Sequence, residues 1–266
     1  MRTRNLGLLV LLGAVALMLQ ACPSAGVYRT AKTLEPGTSD IGLSFNATKL
    51  SSESIEATSD GQTQTEDTSS GPDIVIPKIL PEVSFHIGVA DNVEVGGRVD
   101  ITAGLLELDT KYRFLKSSGL HVAVQPAAAY QSFFFIEGYR LTLPLMVTYE
   151  INDWFAVNAY GLGQYSSLSP TDDTADGAVD ISGASVGGGG GLTFSGETFY
   201  FSPSIEYTQT LLEAEDDDAN SVGFNYTYTV VSLNMGWILG KEKKQLDRIE
   251  NKIDKMDDKL DKALEK

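Results

Sequence analysis

The chain has 266 residues, 36 acidic and 20 basic, for a formal net charge of −16. That balance argues against nucleic acid as a partner, because phosphate binding needs clustered Lys and Arg. A single cysteine excludes a disulfide framework, and two histidines leave little for zinc or for His-based catalysis.

Arg2 and Arg4 form a short basic region, followed by an apolar run from Leu6 to Leu19 and then by Gln20-Ala21-Cys22. The run is too short and too close to the N-terminus for a conventional spanning helix and reads as a secretory signal over residues 1–21. Its end resembles the bacterial lipobox. The resemblance implies cleavage before Cys22, lipidation of that cysteine, and a lipidated linker over 22–37. Pro23, rather than Asp, follows the cysteine, which in the enterobacterial sorting rule implies passage to the outer membrane. The alternative is an ordinary signal with a chance cysteine.

From residue 38 the hydropathy has a period of two. Ile41, Leu43, Phe45 and Ala47 alternate with small or polar residues, as do Val83, Phe85, Ile87 and Val89. Leu106, Leu108, Tyr112 and Phe114 alternate with Asp109, Lys111 and Arg113. Leu141, Leu143, Leu145, Val147, Tyr149 and Ile151 alternate with Arg140, Thr142, Thr148 and Glu150. Neighbouring side chains of a strand point to opposite faces, so each segment has one apolar and one polar face. Ten strands are predicted, at 38–49, 78–89, 92–102, 105–116, 119–131, 139–151, 154–167, 184–195, 198–211 and 221–239. Tight turns at 90–92, 116–119, 152–153 and 195–197 alternate with mostly longer connections, and the 51–72 stretch is expected to be disordered. In the tenth strand the apolar phase changes at Val230, and a β-bulge there is expected to keep one face apolar throughout.

The pattern over 38–240 resembles the bacterial outer-membrane β-barrel superfamily, with an even strand count, short turns at one end and long loops at the other. Trp154, Trp237, Phe114, Phe155 and Phe199 fall at one level, as an interfacial girdle would. The resemblance implies an all-β, antiparallel up-and-down transmembrane barrel with its short turns in the periplasm. A soluble β-sandwich lipoprotein also alternates and remains the competing architecture, since it would bury the apolar face instead.

In the barrel reading the polar faces line a narrow lumen filled by ion pairs. Closing the 92–102 and 105–116 strands around Thr102 and Leu105 sets Arg98 opposite Asp109 and Glu94 opposite Arg113. His86 and His121 fall near the periplasmic end, beside Glu94 and Glu150. The rim sites used by the ten-stranded omptin proteases and the eight-stranded acyltransferases have no counterpart His in the outer loops here, so no catalytic residue and no cofactor is assigned.

The outer loops are acidic, and Asp216-Asp217-Asp218 is their densest cluster and the candidate for a divalent cation. It lacks EF-hand spacing, so solvated charge is the simpler account. After Gly240, Leu246, Ile249, Ile253, Met256 and Leu260 follow a coiled-coil rhythm, which predicts a periplasmic amphipathic helix over 241–266. So short a seam needs a partner: sister tails in a homo-oligomer, another periplasmic protein, or the barrel's own turns. The function expected is structural or interactive in the cell envelope, with a small pore or transporter as the alternative.

Overall fold

The computed structural model describes residues 30–59, 62–67, 74–78, 80–133, 136–170, 180–215 and 221–240. The lipobox and Cys22, Asp216–Asp218, and the whole predicted tail with Leu246, Ile249, Ile253, Met256 and Leu260 lie outside the described residues.

Among the described residues thirteen strands form one antiparallel sheet: β1 (Ser39–Ser59), β2 (Gln62–Asp67), β3 (Ile74–Pro77), β4 (Glu82–Ala90), β5 (Val93–Asp100), β6 (Leu105–Ser117), β7 (Leu120–Val124), β8 (Ala127–Phe133), β9 (Ile136–Asn152), β10 (Phe155–Pro170), β11 (Asp180–Ser195), β12 (Phe199–Glu215) and β13 (Ser221–Leu239). β2, β3 and β4 pair in turn with descending stretches of β1, so together they occupy one place in the wall. β7 and β8 share another place between β6 and β9, interrupted at Gln125-Pro126, where the imino acid cannot donate to the ladder. Ten places result, and the pairing of β1 with β13 closes the ring. Ser39 lies opposite Leu239, so both ends of the ring's chain leave at the short-turn end.

The polarity of the ring is reversed relative to a soluble protein. Glu82, Glu94, Arg98, Glu107, Lys111 and His86 are buried, whereas Leu108, Leu143, Leu145, Tyr149 and Ile205 are exposed. A sandwich would bury the second group. This wall turns it outward, which is tolerable only if the surrounding solvent is hydrocarbon. On β9 the outward series Leu141, Leu143, Leu145 and Val147 is bracketed by Tyr139 and Tyr149. Ten residues at roughly 3.3 Å each, tilted by about 40°, give a belt of about 25 Å between the two rings, the height of an outer-membrane apolar band. At the short-turn end Trp154, Phe155, Phe194 and Phe201 form a stacked row on the outer wall, and Phe199 meets Trp237 edge-on at 5.5 Å.

Three expectations are corrected. The hairpin of β5 and β6 closes with Asp100 opposite Leu105, so Arg98 lies opposite Glu107 and Glu94 opposite Lys111. The turn takes four residues, Ile101–Gly104, because Asp100 Oδ1 accepts the Ala103 N–H at 3.1 Å and Gly104 adopts a φ of 59°. The two-residue shift preserves the faces while exchanging the partners.

There is also no bulge at Val230. β13 pairs with β12 in unbroken register, and the irregularity lies instead in β1, between Ser52 and Ser54. Phe224, Tyr226, Tyr228 and Val230 therefore point inward with Ser232 and Asn234. The change of phase in the sequence marks a change in the chemistry of the lumen. Finally, 51–59 and 62–67 are strand: β1 runs to Ser59, with the long β13 paired along it to Thr58, and β2 folds back onto it.

The belt makes the cost of a charge depend on depth. Leu145→Arg, at mid-height on β9, is expected to destabilise the folded barrel by about 2–4 kcal/mol, and Leu211→Arg, beyond Tyr207 on β12, by about 0–1 kcal/mol. Denaturant titration in lipid vesicles measures both. Equal costs at the two positions would contradict the placement of the belt.

Candidate functional site: the filled lumen

The inward positions of β4, β5, β6, β7 and β9 carry charge because alternation gives every second residue to the lumen. Arg98 bridges Glu82 at 3.2 Å and Glu107 at 2.7 Å, and Arg140 reaches the same Glu107 oxygen at 3.3 Å. Lys78 joins Glu82 to Asp100, and the Asn46 amide donates to Glu82 at 2.7 Å. One level lower, Asp109 lies 3.0 Å from His86 Nε2 and accepts from Gln125 at 2.8 Å. Below that, Lys111 donates to Glu94 at 3.1 Å. At the short-turn rim Arg113 holds Asn92 Oδ1 and the Asp91 carbonyl, and Glu150 lies between His121 and Lys32.

The opposite half of the wall is mostly uncharged, with Asp40 on β1 and Glu206 on β12 as its buried carboxylates. Thr148, Asn158, Thr193 and Ser202 form a hydrogen-bonded row across β9 to β12, with donor–acceptor distances of 2.7–2.9 Å. Towards the loop end the interior becomes apolar: Leu50, Leu162, Leu168, Ile181, Leu212, Phe224, Tyr226, Tyr228 and Val230 pack as one cluster. Between the two regions Tyr160 donates to Glu206 at 3.1 Å. Tyr160 fits because its ring occupies the space that a side chain at residue 189 would fill: a Cβ on Gly189 would lie 2.4 Å from the tyrosine oxygen. The glycine run of β11 makes room for this side chain.

The four sequence-predicted lumen residues, Glu94, Arg98, Asp109 and Arg113, all line the interior, in partnerships other than those expected. Glu94 meets Lys111, Arg98 meets Glu82 and Glu107, Asp109 meets His86, and Arg113 caps the Asp91–Asn92 turn. Lys78, Arg140 and Glu206 were legible as inward by alternation, but their partners depend on register. The apolar upper cluster was missed, although the phase change at Val230 was its signal. Both imidazoles lie within hydrogen-bond distance of carboxylates, a pairing that orders a polar interior. Among the described residues no three His, Cys, Asp or Glu side chains are grouped to hold a metal ion.

Beside Arg98 the lumen holds little open space. The void bordered by Gly42, Ser44, Glu82, Arg98, Tyr200 and Asn234 is about 10 Å³, room for at most one water. Such an arrangement can satisfy buried charge and brace the wall.

No family model and no curated protein matches the sequence. Among solved structures, the chain is similar to the outer membrane protease OmpT from Escherichia coli, at 8% identity and a TM-score of 0.47. That match covers 79% of this chain and 100% of that one. It is also similar to the outer membrane protein OprG from Pseudomonas aeruginosa, at 14% identity, a TM-score of 0.37 and coverage of 79% and 99%. Ail, the attachment invasion locus protein of Yersinia pestis, matches at 14% identity, with a TM-score of 0.30 and coverage of 77% and 99%. Likeness at these identities concerns the fold.

Removing one member of the charge network should cost more than removing a surface ion pair. Arg98→Met leaves Glu82 and Glu107 undercompensated in the interior and is expected to lose about 3–5 kcal/mol of stability. The double variant with Glu107→Gln should recover part of that loss, because a neutral amide replaces the stranded carboxylate. Urea unfolding of the refolded barrel reads both; a loss below about 0.5 kcal/mol for Arg98→Met would be a surface-like effect and would contradict the network's role.

Proposed function

We propose that this protein is a lipid-anchored outer-membrane barrel with a plugged lumen and a structural or interaction role in the envelope. The observation that carries the reading is the filled interior, with ion pairs in the lower half and packed aliphatic and tyrosine side chains in the upper half. A barrel that devotes its lumen to packing offers its two ends as working surfaces. In this reading the short turns face the periplasm, Cys22 carries the lipid in the inner leaflet, and the acidic connections, with Asp216–Asp218 in the last of them, face outward. The 241–266 segment, with its apolar seam of Leu246, Ile249, Ile253, Met256 and Leu260, docks onto sister tails or a periplasmic partner. No catalytic step is assigned.

Conductance separates this reading from a pore. Purified protein in planar bilayers is expected to give no current steps above the lipid baseline. Reproducible ion-selective steps would overturn the plugged-barrel reading. Palmitate labelling in cells should be lost in Cys22→Ala, and cross-linking from Ile253 should capture the partner of the tail.

A further inference from the structure

Residues 30–38, ahead of β1, do not hang free of the barrel. Ala31 and Thr33 are buried while Lys32 and Glu35 are exposed, an extended segment with one face against the mouth. The Ala31 N–H donates to Thr148 Oγ1 on β9 at 2.7 Å, and Lys32 reaches Glu150 on the same strand at 2.5 Å. Thr33 Oγ1 donates to the Asp91 carbonyl in the turn between β4 and β5, and the Leu34 N–H donates to Glu94 on β5 at 2.9 Å. The Gly37 N–H then pairs with the Gly88 carbonyl at 2.7 Å, and the Gly88 N–H with the Thr38 carbonyl at 2.9 Å. In a ring of ten places β9 lies five places from β1. The segment therefore spans the short-turn mouth from one wall to the opposite one.

We propose that residues 30–37 are a displaceable strap that closes this mouth, held on the rim beneath them. Most of the contacts engage the strap's backbone, so the seat is specified by Thr148, Glu94 and Gly88 more than by the strap's own side chains. Gly88 is part of the seat: a Cβ there would lie 2.3 Å from the Glu35 carbonyl oxygen and 2.7 Å from that of Leu34. The strap meets β1 through a turn in which Thr38 donates to the Glu35 carbonyl from both N and Oγ1, with Gly37 at a φ of 76°. That left-handed glycine supplies a hinge, and one edge of hydrogen bonds is a weaker hold than the two ladders that fix each wall strand. While seated, the strap caps Glu94, whose other oxygen accepts from Lys111, and its departure would leave that carboxylate one hydrogen bond short. The inference is independent of whether the barrel conducts and of what the tail binds.

The test is the reactivity of a cysteine at position 31 towards a membrane-impermeant maleimide, in barrels refolded into vesicles. The rate is taken relative to the parent protein with Cys22 in place. Ala31→Cys is expected to be strongly protected compared with the same chain in urea. Adding Gly88→Leu at one end of the seat, or Thr148→Val at the other, should raise the rate about tenfold or more, each removing or obstructing a hold on the strap. Heat-dependent gel mobility confirms that each variant is folded. Labelling as fast in the folded parent barrel as in urea, or protection that survives both substitutions in folded barrels, would overturn the proposal.

Discussion

Everything in this molecule follows from the closure of one hydrogen-bonded ladder. Because β1 pairs with β13, the described strands close into a ring, and the backbone donors and acceptors along these ladders are met within the sheet. A wall with no free polar backbone can present Leu, Val and Phe to hydrocarbon. The same closure forces the other face of every strand into a narrow interior. There the charges of β4 to β9 either find one another or bear the cost of desolvation.

That interior is not uniform, and its division reflects the differing heights of the strands. β5 and β6 end at a turn that follows Asp100, whereas β9 to β13 and β1 rise higher. On the low side the lumen is a lattice of carboxylates and cations; on the tall side it is hydroxyls and amides below and an apolar cluster above. The upper cluster packs as a soluble core does. The lower lattice holds itself together by charge pairing, so the two halves of one cylinder are stabilised by different forces.

Alternation determines which face a side chain takes, and that much was readable residue by residue: the inward placement of Glu94, Arg98, Asp109 and Arg113, the outward belt of β9, and the places in the ring. It does not determine which inward residue meets which, because a shift of two residues leaves every face unchanged. Only the Asp100-capped turn decides between Asp109 and Glu107 as the partner of Arg98. The same ambiguity hid the upper lumen. A run of inward Phe, Tyr and Val looks like a strand turned around, and the bulge expected at Val230 was the conventional way to keep such residues on lipid. The strap left almost no trace in the sequence, since most of its hold is through backbone groups that every residue possesses. By sequence alone it falls within the 22–37 linker. The Ser- and Thr-rich stretch after Leu50 lacks apolar alternation, yet pairing with β13 extends it as strand to Ser59.

The central claim is that the outward face meets hydrocarbon, and the chain carries its own reporters of it. Trp154 and Trp237 are the two tryptophans of the sequence, both exposed on the outer wall at the short-turn end. Reconstitution into vesicles of lipids brominated at defined acyl positions measures their depth through fluorescence quenching. The account expects strong quenching by bromines near the headgroup end of the chains and weaker quenching by bromines near the bilayer centre. Water-like emission with no quenching at any bromine depth, from barrels shown to be folded, would contradict it.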